Sequence, residues 1–134
     1  MSKVRTSRGG RGEARNRRLV AQKYLEVADL ADSEEGPAAN NVVVGVCVLA
    51  GIAAGDAICL AATGVRYAGT DHAEAAQLLR RMDPGLGDEL SKLVRLKPAA
   101  HYGSQFVSGE DRTRALRAAR KLVDAAAQRT IGTG

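Results

Sequence analysis

The chain has 134 residues, enough for one domain with a single core. Apolar residues make up 45% of it but aromatic ones only 3%, so the core is built from Ala, Val and Leu, which favours close helix–helix packing and argues against an aromatic-rich β-sandwich. The net charge of +5 is concentrated at one end: residues 1–18 carry Lys3, Arg5, Arg8, Arg11, Arg15, Arg17 and Arg18 against Glu13 alone, a local charge of +6 that leaves the remainder at −1.

Residues 1–14 read as a basic flexible arm, in which Ser7-Arg8-Gly9-Gly10-Arg11-Gly12 resembles a single arginine–glycine repeat. A short cationic segment binds nucleic acid through phosphate contacts, which makes Arg5, Arg8, Arg11, Arg15, Arg17 and Arg18 candidate nucleic-acid-binding residues. The plainer alternative is a disordered leader on an otherwise neutral domain. The N-terminus lacks an apolar h-region, so no secretory signal is expected.

A helical domain is predicted over residues 15–130. Its first helix starts near Arg15, with Val20, Tyr24, Val27, Ala28 and Ala31 as an apolar stripe at helical spacing. Asp32 to Pro37 interrupts it, with Gly36-Pro37 as the stop signal.

Ala38 to Thr63 is the longest apolar segment. Its β-branched opening, Val42 to Leu49, has the composition of a buried strand, whereas the alanine-rich continuation from Ala50 to Ala62 favours helix. With no turn signal between them, the segment reads as one long helix. It is long enough to cross a membrane, but Asp56 and three glycines, Gly45, Gly51 and Gly55, interrupt it, so a buried central helix is preferred and no membrane partner is expected. Gly51 and Gly55 share a face and allow close approach of another helix, within the chain or across a dimer seam. Asp56 is either solvent-facing or buried with a cationic partner, for which an arginine near Arg95 is a candidate. Cys47 and Cys59 lie roughly 18 Å apart along such a helix, too far for a disulfide, and read as buried hydrophobes of a reducing cytoplasm.

Gly64 to Thr70 reads as a loop, after which Asp71 caps a helix over Ala73–Met82, with Glu74 placed as in a capping box. Asp83-Pro84-Gly85 ends that helix. A short helix follows from about Leu86 to Leu96, then a loop broken by Lys97, Pro98 and Gly103. Ser108 starts the last helix as its N-cap, and Ala115, Leu116, Ala119, Leu122, Val123 and Ala126 repeat along one face. Gly132 and Gly134 finish a frayed end. The predicted fold is all-α, an antiparallel bundle of about five helices.

The chain has no phosphate-cradling glycine loop and no G-x-S-x-G elbow. Two histidines and two separated cysteines give no zinc site of usual spacing, so neither a metal nor a cofactor is expected. The remaining candidate chemistry lies in Arg95-Leu96-Lys97-Pro98-Ala99-Ala100-His101-Tyr102. It combines a permanent cation, a side chain that exchanges a proton near neutral pH, and a phenol. Arg66 and His72 show the same spacing and are assigned no chemistry, since His72 reads as a solvated first-turn residue.

Residues 15–128 resemble the HEPN superfamily of small all-α proteins. The resemblance is carried by a long small-residue second helix, a third helix opened by Asp71-His72 and continuing into Leu78-Leu79, and an arginine followed at short spacing by His101 ahead of the last helix. It implies a homodimer that joins the Arg–His loops into a metal-independent ribonuclease centre, often the toxin of a toxin–antitoxin pair with a protein antitoxin. Carried over, His101 is the general acid or base, Arg95 holds the scissile phosphate, and Tyr102 positions the phosphate or the histidine. Leu96 stands where active members commonly carry Asn or Asp. Aligning Tyr102 with the family tyrosine places Ala100 at the histidine position. The alternative is therefore a non-catalytic HEPN-like module that binds protein or nucleic acid.

Overall fold

The structure is a computed structural model that describes residues 5–131. Lys3 and the glycines at 132 and 134 lie outside the described residues. Among the described residues the fold is an all-α bundle of five helices with one two-stranded ribbon, in the order β1 (Thr6–Arg8), α1 (Arg11–Ala31), α2 (Pro37–Thr63), β2 (Val65–Tyr67), α3 (His72–Met82), α4 (Pro84–Tyr102) and α5 (Gly109–Ile131).

Helix α2 runs unbroken through both the valine-rich and the alanine-rich halves of the long apolar segment. Gly36, at a positive φ of 104°, turns the chain, and Pro37 supplies a fixed φ at the first helical position. Gly64, at φ 74°, closes the other end, its N–H bonded to the Leu60 carbonyl at 2.9 Å. Valine is a weak helix former, but here Val43, Val44 and Val48 are fully buried, and packing overrides propensity. The helix is long and apolar enough to cross a membrane, and most of it is buried among α1, α4 and α5.

Gly51 and Gly55 form a crossing within the chain. A methyl group on Gly51 would collide with the Leu93 side chain of α4, and one on Gly55 would meet Leu90 at 3.2 Å. The space left by the missing side chains on α2 is thus filled by leucines of α4.

Helix α1 keeps part of the predicted stripe, with Ala28 buried and Tyr24 and Ala31 packed against the core, and turns its valines out. Its buried residues are Ala14, Ala21 and Ala28, at seven-residue intervals, whereas Val27 is 43% exposed and Val20 is exposed as well. Alanine in the seam permits the short interaxial distance that a bulky valine would prevent. The helix also starts at Arg11, and β1 pairs antiparallel with β2 in the register Thr6–Tyr67, Ser7–Arg66 and Arg8–Val65. Residues 6–14, expected to belong to a flexible arm, are therefore part of the folded body. The loop expected from Gly64 to Thr70 contains the partner strand.

Two of the predicted caps form as expected, one with a modification. Ser108 Oγ accepts the Asp111 N–H at 3.0 Å. Asp71 Oδ1 accepts the Ala73 N–H at 2.9 Å, so α3 begins at His72. Glu74 does not close a capping box directly. The Tyr67 hydroxyl stands between, accepting the Asp71 N–H at 2.8 Å and donating to Glu74 Oε2 at 3.1 Å.

Helix α4 corrects the sequence reading most. It continues to Tyr102, with Pro98 inside it, so Arg95–Tyr102 forms its last two turns and not a loop. Proline removes one helical N–H bond, but its φ suits a helix. Leu96 and Ala100 pack against the core, and the Asn41 amide of α2 reaches the Ala99 carbonyl at 3.5 Å. These contacts hold the helix beyond its local stop signal. The connection to α5 is pinned by the adjacent asparagines of α2: Asn41 Oδ1 accepts the Val107 N–H at 2.9 Å, and Asn40 Nδ2 donates to the Val107 carbonyl at 3.2 Å.

Candidate functional site

Placing Arg95 and His101 on one helix fixes their relationship. Six residues of α-helix separate them by about 9 Å along the axis and about 120° around it. Arg95 faces a groove of about 200 Å³ between α4 and α5, lined by Lys92, Leu96, Asp111 and Arg114 among others. His101 turns to α2, where its Nε2 lies 3.3 Å from the Gly45 carbonyl oxygen. Tyr102 is 77% exposed, and its ring stands edge-on to His101 with centroids 5.9 Å apart. The structure thus joins His101 to Tyr102 but places Arg95 on another face. Within one chain they do not surround a common phosphate.

The second sequence candidate, the basic N-terminal segment, is divided by the fold. Arg17 is committed to Asp56, with Nε at 3.1 Å and Nη2 at 3.0 Å from Oδ2. Arg18 is half-buried, its Nε enclosed without a hydrogen-bond partner. Arg5, Arg8, Arg11 and Arg15 remain exposed along the corner where β1 leads into α1. Arg11 and Arg15 are one turn apart on a single face, while Glu13 lies about 200° around the helix from each. Glu13 is therefore turned from Arg11 and Arg15 around α1, while its carboxylate reaches Gly9, the neighbour of Arg8.

Glu13 faces a polar cleft of about 310 Å³, lined by Glu13, Asn16, Arg17, Asp56 and Arg66. Glu13, Asn16 and Arg17 fall on one side of α1 by their spacing, Asp56 comes from α2, and Arg66 comes from β2. Asp56 is only 8% exposed. Burial pushes its carboxyl above the usual aspartate range, and the nearby Arg17 and Arg66 guanidinium groups oppose that shift. The partner of Asp56 is thus Arg17 of the first helix and not an arginine near Arg95. Both Arg17 contacts fall on Oδ2, so Oδ1 takes no donor from Arg17.

The cleft was only partly visible in the sequence. Asp56 stood out as the one charge inside an apolar helix, but Glu13 appeared only as the lone acid of the basic segment and Arg66 only in a spacing assigned no chemistry, because a three-residue strand and a single helical turn bring them together with Asn16. His72 is also not the solvated residue expected. It is half-buried with Nδ1 enclosed and without a partner, and burial together with the Lys97 charge lowers its pKa. Among the described residues, no group of three or more His, Cys, Asp and Glu side chains is arranged to hold a metal ion.

No family model matches the chain and no curated protein matches it, so the resemblance to HEPN proteins rests on the sequence pattern alone.

Proposed function

We propose that this chain is a non-catalytic RNA-binding module that engages the phosphate backbone through Arg5, Arg8, Arg11 and Arg15. The observation that supports this reading is the strand–helix corner. It carries four exposed arginines on a folded support, with Glu13 on the opposite side of α1 from Arg11 and Arg15. Arginines carried on a fixed support lose less conformational entropy on binding than those of a free tail, and phosphate neutralisation supplies the affinity. Separation of Arg95 from His101 on α4 favours binding over cleavage by a single chain, since one chain does not bring the two side chains to one scissile phosphate.

The test is fluorescence anisotropy of labelled single-stranded RNA and DNA of matched sequence, titrated with the full chain at several salt concentrations. Affinity is expected to fall with salt, the logarithmic slope changing by about 0.7 for each phosphate contacted on a single strand. Replacing Arg5, Arg8, Arg11 and Arg15 together with Gln should weaken RNA binding and flatten that slope. Unchanged affinity and slope in the quadruple variant would overturn the reading. So would RNA cleavage in EDTA that His101→Ala abolishes, since that outcome restores the ribonuclease alternative.

A further inference from the structure

The cleft under α1 contains an unusual pairing: a nearly buried carboxylate that opens to a polar cavity within an alanine and leucine core. Asp56 forms the floor, Glu13, Asn16 and Arg17 form one wall, and Arg66 forms the other. Its charges balance, with two carboxylates against two guanidinium groups. A small ion of either sign therefore gains little there. The matching ligand is neutral and carries donors and acceptors side by side on one edge.

A nucleobase has that character, and among the four bases guanine fits best. Its Watson–Crick edge places two adjacent N–H donors, N1–H and the N2 amino group, beside the O6 acceptor. A carboxylate accepts both N–H groups, and a guanidinium donates to O6 or N7. Adenine and cytosine offer one amino group next to a ring acceptor, and uracil offers one N–H between two carbonyls, so none of them gives a single carboxylate the two parallel N–H contacts that guanine gives. The planar Arg66 guanidinium provides a surface on which a base stacks where no aromatic ring is available.

The cleft also adjoins the proposed phosphate-binding corner. Ser7 of β1 pairs with Arg66 of β2, and Gly9 lies against the Glu13 carboxylate, where an added methyl group would come within 2.6 Å of Oε2. A strand whose phosphates follow Arg5, Arg8 and Arg11 passes the mouth of the cleft.

We propose that this cleft is a base-selective subsite that takes an unpaired guanine from RNA bound at the arginine corner. The inference rests on the RNA-binding reading, and the two are separable by experiment.

Guanosine, adenosine, cytidine and uridine 5′-monophosphates are titrated into the full chain by calorimetry, and anisotropy is measured with five-nucleotide RNAs that differ in a central G, A, C or U. The expected result is at least about a tenfold preference for guanine in both formats, the lower end of what one bidentate base contact contributes. Glu13→Gln and Asn16→Ala, both at exposed positions, should reduce that preference without loss of helicity by circular dichroism. Asp56→Asn should abolish it, and the two surface variants keep the test decisive if Asp56→Asn fails to fold. Equal affinity for the four bases overturns the subsite, as does a guanine preference untouched by Glu13→Gln and Asn16→Ala. RNA binding without base preference defeats the subsite alone. Guanine mononucleotide binding without any RNA binding defeats the phosphate-corner reading and leaves the cleft.

Discussion

The His101 ring rests on the backbone of Gly45. Nε2 lies 3.3 Å from the glycine carbonyl oxygen, and a methyl group on Gly45 would come within 2.9 Å of the same nitrogen. This contact turns His101 toward α2 and away from the face that carries Arg95. Arg95→Ala and His101→Ala are therefore expected to leave RNA affinity within about twofold of the native chain, less than about 0.5 kcal/mol. The same anisotropy titrations check this, and a tenfold loss with either variant would place the binding surface on α4.

Glycine substitutions should separate by what they strike. A methyl group on Gly87 would lie 2.5 Å from the Arg80 backbone Cα, where nothing can rotate aside. Gly87→Ala is expected to cost about 1–3 kcal/mol or more, as overpacking does. Gly12 has open space around it inside α1, so Gly12→Ala should be neutral or stabilise by up to about 1 kcal/mol. Urea denaturation of the two variants gives the sign of each.

Arg112 ties the α1–α2 connection to the first turn of α5. Its Nε donates to Asp32 Oδ1 at 2.6 Å, Nη1 to Asn40 Oδ1 at 3.2 Å, and Nη2 to the carbonyls of Asp32 and Glu34 at 2.7 and 2.8 Å. The side chain is 12% exposed. Lysine keeps the charge but not the planar fork, so Arg112→Lys is expected to lose about 2 kcal/mol of stability. Chemical denaturation measures it, and a change below about 0.5 kcal/mol would show that the fork adds nothing to a simple charge.

Two aspartates should act in opposite directions as pH changes. Burial raises Asp56 above the ordinary 3.8, so the folded chain keeps that proton after the unfolded chain has released it. Its contribution to stability is full below 3.8 and is lost as pH rises through the folded value. Asp83 is held below 3.8, first by the Leu86 N–H that it accepts and then by Arg129. Its contribution is present above 3.8 and is lost as pH falls through its folded value. Stability is measured from about pH 3 to about pH 7 for the native chain, Asp56→Asn and Asp83→Asn. With rising pH, the margin of the native chain over Asp56→Asn should shrink and its margin over Asp83→Asn should grow. Margins that move together would contradict the assignment.

Cys47 and Cys59 are buried in α2, and burial pushes both thiols up to about 12. Thiolate is the reactive form, so neither should react with a disulfide reagent near pH 8 in the folded chain, and both should react once guanidinium unfolds it. Rapid modification of the native protein would show that α2 opens locally.

Each element read correctly from the sequence had its signal within a turn or two of the chain. Gly36-Pro37, Asp71, Asp83-Pro84 and Ser108 mark boundaries because each satisfies or forbids a backbone bond next to itself. Alanine-rich periodicity with almost no aromatic residues specified an all-α bundle before any contact was known. The apolar length of α2, its lone Asp56 and its glycine face were legible in the same way.

Tertiary structure decided what those local signals could not. Val20 and Val27 gave α1 a stronger apolar signal than Ala14 and Ala21, yet these alanines face the core together with Ala28 of the predicted stripe, because alanine allows the helices to approach closely. Pro98 is a local stop signal, but packing of Leu96 and Ala100 carries α4 past it and thereby separates Arg95 from His101. The partner of Asp56 lies 39 positions earlier in the chain, and Ser7 meets Arg66 through strand pairing too short to leave a periodic pattern. Side-chain chemistry and local punctuation are sequence properties. Which face is buried, and which charges meet, depends on the total area the whole bundle removes from water.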